Sequence, residues 1–272
     1  GEAVVASGTF ETSAGDPIEN GDMSQWCETK EMLPLFGSKK ITVWYPGSSW
    51  SDSTPGFWDS SNNAGNKTAC TQDKTKNASC AWLQASGVSL VGALASGSLF
   101  TGTFTYANMN GTASFGQKYK YTARPTALRL KYHATLGTVN YNKHNGPLEK
   151  NKDIMDQCSF TVCIVDWDTR HDVQSGTSAP KGIWDPITMG ELPVDKQNGI
   201  IGYGVKYSSE NTPGTDLIPL EIPIKYYQQT NAAPDGDNKF TIIISVSTSR
   251  YGDYLNGCDK NKIYVDDFEW VY

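Results

Sequence analysis

Alternating apolar and polar positions along the chain predict many β-strands separated by long polar loops. In TALRLKYHA the apolar Leu128 and Leu130 alternate with Arg129 and Lys131, which is typical of a half-buried strand. The segment FTIIISVST is almost continuously apolar, which favours a central strand. The pattern predicts nine strands, over Lys39–Tyr45, Ala81–Leu90, Leu99–Tyr106, Thr126–Ala134, Ser159–Trp167, Gly199–Tyr207, Glu221–Gln228, Phe240–Thr248 and Lys262–Tyr272.

The last strand, KIYVDDFEWVY, carries a carboxylate on its aromatic side. Strict alternation places Tyr264, Asp266, Phe268 and Trp270 on one face. An ionised carboxylate among aromatic rings is costly unless it is hydrogen-bonded or bound to a cation. We therefore expect Asp266 to be either a structural cation ligand or a hydrogen-bonded group at the end of the core.

Composition narrows the fold to an all-β class. The chain has 272 residues, of which 38% are apolar and 19% are charged, with 26 Gly and 14 Tyr. This mixture, the nine strands and the lack of a long amphipathic helix predict an antiparallel β-sandwich of the jelly-roll type with long loops. No Pro/Ser-rich linker divides the chain, so we expect residues 1–272 to form a single domain.

The net charge and the hydropathy of the chain argue against nucleic acid as a partner and against a membrane-spanning helix. The net charge is −6 and there is no basic run, so nucleic acid is not an expected partner. No stretch approaches the roughly 20 apolar residues that a membrane-spanning helix needs. The opening GEAVVASGTF lacks an export signal, and we expect any native signal to have been removed ahead of it.

The six cysteines do not have zinc-site spacing. Cys158 and Cys163 lie five positions apart in one predicted strand, roughly 16 Å along it, and cannot bridge each other. Cys70 and Cys80 flank a polar loop and could close it as a disulfide, with reduced thiols as the alternative.

Aromatic residues in the loop after Tyr45 are candidates for stacking on sugar rings. Trp50 is the better surface candidate, whereas for Trp58 the alternative of a ring that caps the core is favoured. Polar neighbours would orient sugar hydroxyls: Asp59, Asn62 and Asn63 in this loop, and Arg124 and Arg250 beside later strands. Either arginine could instead pair with a carboxylate such as Asp253 or Asp266.

A catalytic site is not evident from the motifs. The turn VDWDTRHD places Asp166, Asp168, His171 and Asp172 close together, which could supply a carboxylate pair or calcium ligands, although a strand end turning into solvent is favoured. The chain has no GxSxG elbow, phosphate-binding loop or HExxH motif.

Several blocks in a fixed order resemble one family. They are FWDSSNNAGN (Phe57–Asn66), AWLQASGV, ALASGSLFTGTF (Ala93–Phe104), RPTALRLKY (Arg124–Tyr132), IPIKYY and SVSTSRYGDYLNGCDKNKIYVDDFEWVY. Over residues 20–272 the chain resembles the putative carbohydrate metabolism domain. The block Ala93–Phe104 contains Gly97 and Gly102. These glycines favour a bend or bulge in a strand over an approach of sugar to the backbone.

The resemblance implies an exported protein at the periplasmic or outer-membrane cell surface of a Gram-negative gut anaerobe, with a lipid anchor upstream. It implies a non-catalytic module that binds oligosaccharide or polysaccharide, and we expect a monomer. Two alternatives stay open: a glycoside hydrolase or polysaccharide lyase using paired carboxylates, and a structural or adhesive surface protein. Jelly-roll carbohydrate modules often hold a structural calcium ion, for which Glu19, Asp22 and Asp266 are the candidate ligands.

Overall fold

β-Strands are the main regular structure in the described residues of the chain. The computed structural model describes residues 16–32, 41–51, 53–64, 69–76, 79–120, 123–227 and 238–272. The strands in these residues are β1 (Trp26–Met32), β2 (Ile41–Pro46), β3 (Trp58–Ser60), β4 (Cys70–Asp73), β5 (Cys80–Gln84), β6 (Ser86–Val88), β7 (Ala93–Ala95), β8 (Ser98–Ala107), β9 (Asn110–Phe115), β10 (Ala127–Thr135), β11 (Tyr141–Asn142), β12 (Cys158–Trp167), β13 (His171–Gly176), β14 (Ile200–Ser208), β15 (Ile218–Pro223), β16 (Lys225–Tyr226), β17 (Phe240–Ser247), β18 (Asn256–Gly257) and β19 (Lys262–Val271).

Helical segments are short. They are the 3₁₀ turns Ser61–Ala64, Ser89–Val91 and Gly252–Tyr254 and the helix α1 (Val194–Asn198). Among the described residues, no helix has the length and apolar character needed to cross a membrane.

Two sheets make up the body of the structure. The smaller sheet has the order β15-β10-β19-β5-β4, and the larger has the order β13-β9-β8-β17-β12-β14-β16, with β3 also paired to β8. Strand pairings in both sheets are antiparallel. The predicted all-β fold, an antiparallel β-sandwich, is therefore confirmed.

The main core lies between these sheets. The smaller sheet contributes Leu128 and Leu130 of β10 and Val265 of β19, and the larger contributes Val162 of β12 and Ile244 of β17, all of them buried. This packing uses one face of each strand. Part of the opposite, outer face of the larger sheet is covered by a second buried cluster that includes Cys163, Val165, Leu192 and Ile243.

Each of the nine predicted segments contains a strand at or close to the predicted position. The prediction over Ala81–Leu90 is too long, because β5 ends at Gln84 and β6 at Val88, after which a 3₁₀ turn follows. The strands that the pattern missed are mostly short, or rich in Gly, Ser, Thr and Asn, as in NGTASF of β9. Apolar alternation is too weak in such segments to predict them.

Strict alternation along β19 is wrong. Opposite Arg129 and Lys131 of β10 lie Glu269 and Asp266, so β19 has one extra residue at this point. Asp267 takes the left-handed backbone conformation there, with φ of 52°. A β-bulge of this kind reverses the facing of every later residue. Val265 before the bulge and Phe268 after it both enter the core.

The structure answers two further questions, whether Cys70 and Cys80 form a disulfide and what role Gly102 has. Cys70 lies opposite Leu83 and Cys80 opposite Asp73, so the cysteines occupy different rungs of the β4–β5 pair. Both thiols are free, and the predicted disulfide is not formed. Gly102 has a φ of 151°, and a Cβ there would lie 2.2 Å from the carbonyl oxygen of Ser114, which confirms the predicted backbone role of this glycine.

Candidate functional site

Hydroxyl groups line part of the outer face of the larger sheet. In one half of β12 and β17 the residues that alternate with the core positions are small and polar, whereas Cys163, Val165 and Ile243 farther along the same face are buried and apolar. Ser159 lies opposite Ser247, Thr161 lies opposite Ser245, and Ser98 of β8 continues the first row. Since β17 is central in the sheet, these hydroxyls sit on a floor rather than at an edge.

A cleft of about 750 Å³ lies above this floor, which we call the outer cleft. Its walls include the β6–β7 hairpin, the loop 183–191 and the turn 250–255, and residues of β8 and β9 also line it. Eight aromatic side chains line it: Phe100, Phe104, Tyr106, Phe115, Trp184, Tyr207, Tyr251 and Tyr254. Its volume falls in the range of ligand-binding pockets, and rings combined with hydroxyls suit a ligand with both apolar faces and polar edges.

One wall holds a carboxylate with three donors. Oδ1 of Asp185 accepts a hydrogen bond from the Ile187 amide at 2.8 Å, and Oδ2 accepts one from the Tyr207 hydroxyl at 2.8 Å. Arg250 pairs with Oδ2 at 3.4 Å, and both charged side chains keep 26% exposure. The guanidinium also lies over the rings of Tyr207 and Tyr251, at 3.6 Å and 4.9 Å from their centroids. The Asp185 carboxylate and its Arg250 partner are therefore held in place by these contacts but remain partly exposed in the cleft.

A second carboxylate, that of Asp253, lines the same cleft. It makes no hydrogen bond or ion pair with another residue in the described part of the chain, in contrast to Asp185. Burial raises its pKa to about 6, because the surrounding protein disfavours the charged form. Two carboxyl groups in unlike environments therefore face one cavity.

Backbone hydrogen bonds hold both carboxylates in place. The turn that carries Asp253 is closed by bonds from Gly252 to Ser249 and from Leu255 to Gly252. Gly252 packs so closely that a Cβ would lie 2.8 Å from the Ser96 side chain. Asp185 starts a turn of its own, in which its carbonyl accepts the amide of Thr188 at 3.0 Å. Rigid placement of this kind is typical of functional groups on loops.

The tryptophans predicted to stack on sugar are buried instead. Trp50 is 8% exposed and stacks on Tyr45, with ring centroids 3.9 Å apart. Trp58 is fully buried, donates its indole N–H to the Glu19 carbonyl at 2.7 Å and packs on Phe268. The alternative that these rings cap the core is correct, because each finds an aromatic partner inside the protein.

Polar residues of the same loop are structural as well. Asp59 is buried and accepts the amides of Ser60 and Phe104, which joins β3 to β8. Asn62 is also buried and bonds to the backbone of Cys70 through both ends of its amide group. They are therefore not glycan contacts. The side chain of Asn63 lies outside the described residues.

The two predicted arginines lie apart. Arg124 lies over the ring of Tyr226, 4.7 Å from its centroid, and does not line the outer cleft. Arg250 does line it, and its carboxylate partner is Asp185 rather than Asp253 or Asp266.

The acidic turn after Trp167 lies at the end of β12, in agreement with the prediction of a strand end rather than a carboxylate pair or calcium site. Asp166 pairs with Lys239 at 3.0 Å, and the His171 ring bonds to the Gly182 carbonyl at 2.6 Å.

The candidate calcium ligands are only partly brought together. The Phe268 amide donates to the Gly21 carbonyl at 2.8 Å, so the N-terminal segment does lie beside β19. Asp266 is buried and accepts the Asp267 amide, whereas Glu19 and Asp22 are exposed. Burial raises the pKa of Asp266 to about 6. The described residues contain no group of three or more His, Cys, Asp or Glu side chains arranged to hold a metal. Calcium stays a prediction.

Sequence reasoning missed the hydroxyl floor, Asp185 and the role of Asp253. A signal for the floor was present, because Ser159 and Thr161, like Ser245 and Ser247, are polar residues spaced by two in strands whose other face is apolar. The clustering of Asp185 with Arg250 had no local signal, because 64 residues separate them along the chain.

Among the comparisons with known proteins, a family model shows the family and two solved structures show a similar fold. The model of the putative carbohydrate metabolism domain matches residues 10–271. A putative glycoside hydrolase from Bacteroides vulgatus superposes with a TM-score of 0.58 at 15% identity, covering 96% of each chain. Another from Bacteroides thetaiotaomicron gives 0.52 at 16% identity, covering 90% of this chain and 72% of that one. No curated protein matches.

Proposed function

Since the chain belongs to the putative carbohydrate metabolism domain family, we propose that it binds oligosaccharide segments of a glycan in the outer cleft. The observation that carries the proposal is the combination of aromatic walls with a floor of hydroxyl groups in one large cavity. Pyranose rings present apolar C–H faces to aromatic rings and hydroxyls to polar groups. The outer cleft offers both kinds of partner within one space.

Charge in the cleft favours neutral sugars. Its charged lining consists of Lys143 and Arg250 against Asp185, Glu191 and Asp253. Arg250 is already paired with Asp185, and Lys143 donates to the Val91 carbonyl at 2.9 Å. An acidic sugar would therefore meet no excess of positive charge, and it would lose solvation on entry.

A glycan array combined with calorimetry tests the proposal. Arrays should include neutral and uronic-acid-containing polysaccharides, and hits are expected among the neutral ones. Tyr251→Ala should then weaken binding by tens-fold, about 2 kcal/mol, because it removes a ring from the wall. Tyr106→Ala, on β8, removes another ring from the cleft lining and should act in the same direction.

Matched controls locate the site. Tyr272→Ala removes an exposed aromatic ring outside the cleft and should leave affinity unchanged. Circular dichroism checks that each variant is folded. Full affinity in both folded cleft variants would place any glycan site elsewhere. A preference for acidic glycans would contradict the charge argument.

A further inference from the structure

The outer cleft contains two carboxyl groups, those of Asp185 and Asp253, that the binding of a neutral glycan does not require. Asp185 is supplied with three donors, whereas Asp253 is half-buried on a hydrogen-bonded turn and has no hydrogen-bond or ion-pair partner in the described part of the chain. Partial burial without a protein donor disfavours the charged form of a carboxyl group. A neutral sugar could be held by hydroxyls and rings alone, so two carboxyl groups in such different surroundings call for another explanation.

We propose that the cleft hydrolyses the glycan it binds, with Asp253 as the proton donor to the glycosidic oxygen and Asp185 as the proton acceptor from water. This proposal rests on the proposed binding function. Pairs of carboxyl groups whose environments separate their protonation states are the usual acid and base of glycoside hydrolysis. Here desolvation favours a protonated Asp253, and three donors suit a charged Asp185.

The step balances without a further reactant. The bond between the anomeric carbon and the glycosidic oxygen breaks, and that oxygen takes the proton of Asp253. A water oxygen forms the new bond to the anomeric carbon and gives its proton to Asp185. Exchange with solvent then returns the proton to Asp253 and removes the one on Asp185.

Arg250 and Tyr207 act as positioning residues in this scheme. Both contact Oδ2 of Asp185, and the guanidinium is itself held between aromatic rings. Tyr207→Phe should therefore lower kcat with little change in KM. A merely structural role would instead lower the thermal midpoint without this split.

The primary test uses the neutral glycan identified by the array. Wild-type protein should release new reducing ends. Asp253→Asn should slow this release by about 10²- to 10⁴-fold, the usual contribution of a general acid, with a Kd within threefold of wild type. Asp168→Asn, a control for an exposed carboxylate outside the cleft, should keep the wild-type rate.

Leaving-group dependence separates the two roles. On 2,4-dinitrophenyl glycosides of the same sugar the departing oxygen needs no proton, so the Asp253→Asn defect should shrink strongly. The defect of Asp185→Asn should persist, because water must still be activated. An equal defect of Asp253→Asn on natural and activated substrates would overturn its assignment. If Glu191→Gln lost the hydrolytic activity and Asp185→Asn kept it, the assignment of Asp185 as the proton acceptor would be overturned.

The pH profile gives an independent readout. The rate should fall above about pH 6 as Asp253 loses its proton, and Asp253→Asn should lack this limb. Other ionisable groups that line the cleft are Tyr106, Lys143, Asp185, Glu191, Tyr207, Arg250, Tyr251 and Tyr254. None of the three histidines, all within the described residues, lines it.

The outcomes distinguish the two proposals. Glycan binding without product, at any pH between 4 and 8, would overturn hydrolysis and leave the binding function standing. Loss of binding in folded Asp253→Asn would make Asp253 a ligand contact and overturn its role as acid. Absence of any glycan binding or turnover would overturn both.

Discussion

Burial decides what individual aromatic residues do in this protein. The loop after Tyr45 has the composition of a sugar-stacking surface, yet its rings pack inward against one another. Sequence shows residue type but not which ring finds a partner across the fold. Trp58 and Phe268 are 210 positions apart and in contact, and no local pattern indicates this pair.

Replacing Trp58 should therefore affect stability. Trp58→Ala empties a fully buried site and is expected to lower the free energy of unfolding by about 3–5 kcal/mol. Trp44→Ala, at a ring that is 37% exposed, should cost much less. Urea unfolding followed by circular dichroism measures both. Equal stability of the two variants would contradict the assignment of Trp58 to the core.

Asp253 should make stability depend on pH in the free protein. Its pKa is raised to about 6 in the folded state, against about 3.9 in an unfolded chain. The folded state therefore holds the proton more tightly, and this group's contribution falls as pH rises from about 4 to 6. Asp253→Asn should match wild type below pH 4 and be more stable by up to about 3 kcal/mol above pH 6.

Unfolding curves at pH 4, 5, 6 and 8 check this expectation. Asp168→Asn, at an exposed carboxylate, serves as the control and should show no such trend. A constant difference between Asp253→Asn and wild type at all four pH values would mean that burial does not raise the pKa of Asp253. Stability gained on removing a cleft carboxylate would fit a residue kept for function.

At the scale of elements, apolar periodicity predicts the long strands and fails where the backbone departs from regular geometry. All nine predicted segments contain strands, and for most of them packing between the two main sheets imposes the apolar pattern. The bulge in β19 was not predicted, because it depends on one residue with positive φ. The outer cleft was not predicted either, because its walls come from a hairpin, a loop and a turn that are distant in sequence.

The bulge at Asp267 makes a prediction for this element. A β-branched residue is strained at a φ of 52°, so Asp267→Val should cost about 1–3 kcal/mol of strain, in addition to the ion pair with Lys131. Asp267→Gly loses the same exposed pair, which is worth 1 kcal/mol or less, but is not strained. Denaturant unfolding should show a clearly higher free energy of unfolding for Asp267→Gly than for Asp267→Val. A matched pair at Glu269, a regular and exposed position of β19, should not favour Gly.

At the scale of the whole molecule, calcium would join the N-terminal segment to the last strand. Asp266 is buried, with Glu19 and Asp22 on the adjoining segment, so a bound ion should raise the thermal midpoint by several degrees. Addition and chelation of calcium, monitored by calorimetry, measure the effect, and Asp266→Asn should abolish it. An unchanged midpoint, with no metal found by elemental analysis, would leave Asp266 held by hydrogen bonds alone.

Contacts between distant parts of the chain argue that it unfolds as one unit. The core contains Ile18 near one end and Phe268 near the other, and the backbone of Gly21 is bonded to that of Phe268. Removing either segment would expose the same core. We therefore predict a single calorimetric transition with equal van't Hoff and calorimetric enthalpies, although chains of this length often unfold in steps. Limited proteolysis that yields a stable fragment lacking the first hundred residues would contradict this, because such a fragment would have lost Trp58 and the β4–β5 pair from its core.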